Sequence, residues 1–158
     1  MKRRIILCAL LLALALLLGA CAQKPATETP PNPCAEVVAA IESSQEFEEM
    51  TALSANQILQ YLDLNELLLV DQAMSMDASR ATAEVIAVLT AVDEEALGQA
   101  KEALSVYRDV TLEQYRDYRP EEGPKLEAAV LKTRGLQTAL VVSKDAAAAE
   151  KALDEAWK

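Results

Sequence analysis

The chain has 158 residues, 15 basic and 25 acidic, for a net charge of −10, with 52% hydrophobic residues, three cysteines and no histidine. The missing histidine removes the commonest general base, the imidazole metal ligand and every Ser–His or Cys–His nucleophile pair. The acidic balance argues against nucleic acid as a partner, which needs clustered positive charge, and is compatible with basic partners, cations or a plain solvated surface.

Lys2, Arg3 and Arg4 precede an uninterrupted apolar run of 14 residues, Ile5 to Leu18. A spanning helix needs about 20 apolar residues, so the run suits the core of an export signal better than a membrane helix. It ends in Leu18-Gly19-Ala20-Cys21, which resembles the lipobox of bacterial lipoproteins. Small residues ahead of the cut let a peptidase reach extended backbone, and the cysteine sulfur takes a diacylglyceryl group. The resemblance implies that residues 1–20 are removed. Lipidated Cys21 then holds the mature chain at the outer face of the cytoplasmic membrane. Two acyl chains, at about 0.8 kcal/mol per buried methylene, hold firmly where one is marginal. From Cys21 onward there are 12 basic and 25 acidic residues, a net −13, and enough chain for one domain. Cys8 goes with the leader and Cys21 is acylated, so Cys34 is left as the single possible thiol. Neither an intrachain disulfide nor a cysteine zinc cluster can then form.

Residues 22–33 hold four of the six prolines and no apolar periodicity, which predicts an extended tether. A single domain is expected from about Cys34 to Lys158. It opens with two short helices. The first runs from Ala35 to about Phe47, with Val37, Val38 and Ile41 on one side. The second is opened by Ser54 and Gln57 at capping-box spacing and runs through Ile58, Leu59 and Leu62. Two strand-like runs, Leu67–Ser75 and Ala83–Val92, are joined by the polar stretch MDASRAT. Asp93-Glu94-Glu95 then puts acid in the first turn of a long helix, with a stripe of Leu97, Ala100, Leu104 and Tyr107, which must stop before Pro120. After a turn at Glu122-Gly123-Pro124, two further strands, Ala128–Thr133 and Leu136–Ser143, meet at the hairpin signal Arg134-Gly135. An alanine-rich helix from about Asp145 to Trp157 closes the chain. An offset of 52 residues lays Ala87 over Ala139 and Asp93 over Asp145. The expected fold is therefore α+β: two hairpin-plus-helix units sharing a four-stranded, largely antiparallel sheet, preceded by two short helices. The strands are nearly continuous in apolar residues, so helices should cover much of the sheet.

The stretch from about Leu67 to Trp157 resembles an uncharacterised family of domains of unknown function found mostly in small Gram-positive lipoproteins. The resemblance is carried by MSM at the end of one strand, AEVIAVLTA, QYRDYRP closing the long helix, EAAVLKTRGLQTALVVSKD and the alanine-rich last helix. It implies a cell-envelope location and an α+β domain. It supplies no activity and no catalytic residue.

The cluster Tyr107-Arg108, Tyr115-Arg116 and Tyr118-Arg119 offers rings and guanidinium groups for sugars or anionic wall polymers, with Tyr115, Arg116 and Arg119 as the binding candidates. Helical geometry opposes this: Tyr107 and Tyr118 share a face with Ala100, while the arginines point elsewhere. Glu46, Glu48 and Glu49 lack any calcium-loop spacing and read as a solvated face. Glu84, inside an apolar strand, reads as a sheet-edge or loop-facing carboxylate, because no second acid or base can be placed beside it. Cys34 follows Pro33 at a helix start, where the dipole would lower its pKa and favour pairing between molecules; an incidental thiol is the plainer reading. No metal site and no cofactor are expected. The leading expectation is a non-enzymatic binding or adaptor domain of the envelope, anchored through Cys21, with an envelope protein or the cell wall as partner. The alternative is a small envelope hydrolase working with carboxylates alone, which needs paired acids converging in a pocket. A solute-binding lipoprotein is disfavoured by size.

Overall fold

The computed structural model describes residues 32–158. The leader, the lipobox residues Leu18, Gly19 and Ala20, the acylation candidate Cys21 and nearly all of the tether lie outside the described residues. No helix among those described is long and apolar enough to cross a membrane.

The sheet has five strands, one more than the sequence pattern predicts: β1 (Met50–Ala52), β2 (Leu69–Asp77), β3 (Val85–Ala91), β4 (Val130–Arg134) and β5 (Gln137–Val142). They lie in the order β1-β2-β3-β5-β4, and every neighbouring pair is antiparallel. The added strand is three residues long and pairs Met50, Thr51 and Ala52 with Asp77, Met76 and Ser75. Three residues are too few to show a period of two, so only the tertiary partner reveals it. The interior strands VIAVLTA and QTALVV are buried at every position, as expected where helices cover both faces. Short strands occupy both edges, which limits the unpaired backbone offered to other chains.

Five helices flank the sheet: α1 (Cys34–Glu42), α2 (Ala55–Leu62), α3 (Glu94–Tyr118), α4 (Gly123–Glu127) and α5 (Ala146–Ala156). Short 3-10 turns precede β2 at Glu66–Leu68 and α4 at Pro120–Glu122. The first helix stops at Glu42, short of the expected Phe47. There the Ser43 hydroxyl joins its own N–H on the Ala39 carbonyl at 2.8 Å, and the Ser44 hydroxyl donates at 2.7 Å to the Ile41 carbonyl, the acceptor that the next turn would need. The other caps follow the sequence. Ser54 and Gln57 form the capping box of α2, Asp93 accepts the Ala96 N–H of α3, and Asp145 accepts the Ala148 N–H of α5, both at 2.9 Å.

Alternation along the strands divides the core in two. Met74, Ala87 and Leu140 lie side by side and pack with Ala100 and Leu104 of α3, Ile58 and Leu62 of α2 and Leu126 of α4. Ile86, Val141 and Val130 face the other way, against Val37 and Ile41 of α1 and Ala149 and Leu153 of α5. This division qualifies the 52-residue offset. Ala87 and Ala139 belong to opposite clusters, so the two units agree in order but not in face. One hairpin sends its helix across one side of the sheet and the second sends its helix across the other.

The chain is pinned at one end of this sandwich. The Gln137 side-chain amide donates to the Asn32 carbonyl at 2.9 Å, the Cys34 N–H donates to Asp71 Oδ2 at 2.7 Å, and Asn32 Nδ2 donates to the Ala156 carbonyl. Residues 32–34 therefore sit where β5 begins and α5 ends. The loop between β2 and β3 lies at the opposite end of the sheet, about 24 Å away for seven residues at 3.4 Å each.

Candidate functional site

At that far end, the last turn of α2, the β2–β3 loop and the middle of α3 enclose a cleft of about 360 Å³. Helix α3 contributes Ala103, Val106, Tyr107, Val110, Thr111, Gln114 and Tyr115, a stripe at three- and four-residue spacing. The 25 residues of α3 span about 37 Å at 1.5 Å each, so the helix overhangs the sheet and its last turns have little to cover. Tyr118, expected on the buried face, is 75% exposed for this reason. Tyr107 is partly buried as expected, and burial pushes its hydroxyl up to about 12.

The loop wall is built around Asp77. Its Oδ1 accepts the N–H and hydroxyl of Ser79, at 2.8 and 2.7 Å, and its Oδ2 accepts those of Thr82, at 2.7 and 2.8 Å. Burial alone acts to raise this carboxyl, but the hydrogen bonds from Ser79 and Thr82 outweigh it and hold Asp77 at about 2. The Tyr115 hydroxyl lies 2.6 Å from the Thr82 carbonyl and 3.1 Å from that of Arg80, tying α3 to the loop. Burial first, and then the charges of Glu122 and Asp77, raise the pKa of Tyr115. Across the neutral range Asp77 stays charged, while Tyr107 and Tyr115 keep their protons. They offer ring faces and dipoles, and no proton transfer.

Arg80, at the loop tip, has φ 59°, and Asp63, capping α2, has φ 50°. These are the non-glycine residues with left-handed backbone among those described, and both line the cleft. Asp tolerates this conformation through its short polar side chain; arginine does so at a cost. The Arg80 guanidinium lies over the Tyr61 ring, 5.1 Å from its centroid, and donates to the Tyr61 hydroxyl. It makes no ion pair among the described residues. Val106 and Val110 leave 48% and 50% of their surface exposed on the opposite wall.

Behind the cleft floor, Glu84 is fully buried, and it does have an acidic neighbour, contrary to the sequence reading. Lys125 Nζ lies 3.3 Å from Glu84 Oε1 and 2.9 Å from Glu122 Oε2. Glu84 Oε2 also accepts the Glu48 N–H, and Glu122 Oε2 the Ala83 N–H, both at 2.9 Å. Three chain segments meet there because α4 folds back under the sheet, a contact 41 residues distant in sequence that no local pattern signals. Burial lowers the Lys125 pKa, but Glu122 and Glu84 more than offset it and the net shift is upward. Every carboxylate oxygen of the pair meets a donor, so the arrangement fastens α4 and the β1 approach to the sheet. It does not present paired acids to a substrate.

Of the binding candidates, only Tyr115 reaches the cleft. Arg116 pairs with Glu113 and Arg119 with Glu121, both at 2.7 Å on the helix exterior. Glu46, Glu48 and Glu49 are exposed, and Glu48 pairs with Lys144 at 3.4 Å. The sequence reading missed Tyr61 and Arg80. The signal for the loop was present in Asp77-x-Ser79, an Asx-type turn. Cys34 does begin α1, but it is fully buried. Burial pushes its thiol up to about 12, against the expected dipole effect, with the Thr90 hydroxyl at 3.3 Å. A thiol in that position is closed to pairing between molecules.

The family described as a domain of unknown function, DUF4358, matches residues 43–153, and the chain belongs to it. The match starts well before Leu67 and so takes in β1 and also α2, whose last turn forms one wall of the cleft. Neither curated proteins nor solved structures give a match.

Proposed function

We propose that the chain is a lipid-anchored extracytoplasmic binding domain, held through Cys21 at the outer face of the bacterial cytoplasmic membrane, with an envelope partner seated in the cleft between α2, α3 and the β2–β3 loop. The observation that carries the binding reading is the pairing of backbone strain with unfilled surface. Asp63 and Arg80 hold left-handed backbone at the rim of a cleft whose valines and tyrosine stay exposed. At Arg80, strain of about 1–2 kcal/mol persists where the surrounding structure or a task demands it.

The anchored reading is supported by Leu18-Gly19-Ala20-Cys21 and the proline-rich stretch after it. Chain entry at Asn32, at the far end of the sheet from the loop, turns the cleft away from such an anchor. A tether of about a dozen residues, at 3.1 Å each, lets the domain stand off the bilayer.

Photo-crosslinking in cells tests the binding reading. A photoreactive residue at Val106 in the cleft should capture a partner, whereas one at Val70, exposed at the tether end, should not. Equal capture from both positions, or none from Val106, would sink the reading. For the anchor, Cys21→Ala should move the protein from the membrane fraction to the soluble fraction. A variant that stays membrane-bound and lipid-labelled would remove that half.

A further inference from the structure

We infer that the cleft receives a cationic side chain, an arginine or lysine of a basic partner polypeptide, and that Arg80 occupies that place in the free protein. This rests on the reading of the cleft as the binding site. The Tyr61 ring already holds a guanidinium, 5.1 Å from its centroid. That guanidinium comes from an exposed loop on strained backbone and has no carboxylate partner among the described residues. Its contacts are one ring face and one hydroxyl, both of which an incoming cation can take over.

Charge points the same way. Asp63 and Asp77 line the cleft against the single Arg80, so the walls stay net negative with Arg80 in place. The chain as a whole carries −10, which attracts basic polypeptides at long range and repels anions. The apolar wall completes the match. Val106 and Val110 face the aromatic side and suit the methylene stem of an arginine or lysine whose head group lies at a ring and near carboxylates. A compact anion would meet two carboxylates and one guanidinium in the same space.

The test uses the full chain in detergent micelles and a fluorescein-labelled eight-residue peptide amide of alternating glycine and arginine, read by fluorescence anisotropy. The wild-type chain should bind it, and a glycine–glutamate peptide should not bind. Arg80→Ala should tighten binding about two- to five-fold, since an exposed cation–ring contact no longer has to be displaced. Val106→Trp, which fills the cleft, should abolish binding, with Val110→Trp as a second blocking variant should the first unfold. Weaker binding by Arg80→Ala, or capture of the glutamate peptide, would overturn the cationic assignment while leaving the cleft as the binding site. Binding of the arginine peptide that ignores both tryptophan variants would place it elsewhere on the acidic surface and take this inference down. The cleft itself falls only if Val106 also captures nothing in cells, or no more than Val70 does. Competition by free arginine amide as effective as the peptide would replace the polypeptide with a small cation.

Discussion

Glu84 and Glu122 share the one ammonium of Lys125, with Nζ 3.3 Å from Glu84 Oε1 and 2.9 Å from Glu122 Oε2. The side chains of the two glutamates are 0% and 5% exposed, so neither carboxylate can turn to water when the lysine is lost. Removing one partner of a buried ion pair leaves an uncompensated charge and costs about 3–5 kcal/mol. Lys125→Met should therefore lower the denaturation midpoint sharply. Adding Glu84→Gln should restore part of the loss rather than add to it. Urea titration of the two single variants and the double variant checks this; strictly additive losses would show that the three groups do not act together.

The carboxyl of Asp77 titrates at about 2 when folded, against an ordinary value of 3.8. A depressed carboxyl gives stability that is complete above the unfolded value and is lost as pH falls through the folded one. The difference corresponds to about 2 kcal/mol. Asp77→Ala should cost about that much at pH 7. The gap between variant and wild type should hold down to about pH 4 and close between pH 4 and pH 2. A gap that stays constant over that window would show that the loop does not depend on the ionised carboxylate.

These two acids show why the sequence was legible in some places and not in others. Asp77 sits two residues from Ser79 and five from Thr82, so its ligands are local, and the polar stretch MDASRAT announces a turn. The ligands of Glu84 come from residues 48 and 125, and only packing brings them together. Elements with a full local period, such as β3, β5 and the capped helices α2, α3 and α5, can be read directly. Strand β1 cannot, because its three residues owe their conformation to β2. The cleft follows the same rule. The α3 stripe is visible at three- and four-residue spacing, but its overhang depends on where the sheet ends. Tyr61 and Arg80 meet across 19 residues, through a left-handed turn that arginine does not advertise.

Cys34 is fully buried, and its thiol is pushed up to about 12 by burial. In a full chain carrying Cys8→Ser and Cys21→Ser, this thiol should not react with an aromatic disulfide reagent at pH 8 except through unfolding. Its labelling rate should rise with denaturant, and non-reducing gels should show monomer. A raised thiol pKa gives stability that is present below the unfolded value of 9.0 and lost as pH rises toward 12. Cys34→Ala should accordingly flatten part of the alkaline loss between pH 9 and pH 12. The ordinary hydroxyl pKa of Tyr107 is 10.0 and its folded value about 12, and burial raises that of Tyr115 as well, so these two tyrosines keep part of the loss. Rapid labelling of the folded protein at pH 8 would contradict the burial.

Arg80 allows stability and function to be separated at one position. Arg80→Ala and Arg80→Gly both remove the guanidinium, the ring contact with Tyr61 and the hydrogen bond to its hydroxyl. They differ in the backbone. Alanine keeps the steric cost of φ 59°, whereas glycine adopts that conformation freely. The greater freedom of glycine in the unfolded chain offsets part of this gain. Arg80→Gly should still be the more stable of the two by about 1 kcal/mol, measured as the difference in urea midpoints at equal slope. A more stable glycine variant would mean that the natural residue tolerates strain which a simple substitution relieves. The side chain at the cleft rim, rather than the loop geometry, would then be what its presence serves. An alanine variant more stable than the glycine variant, by the entropy that glycine loses on folding, would show the loop to be unstrained at this residue and would withdraw the observation on which the binding reading of the cleft rests.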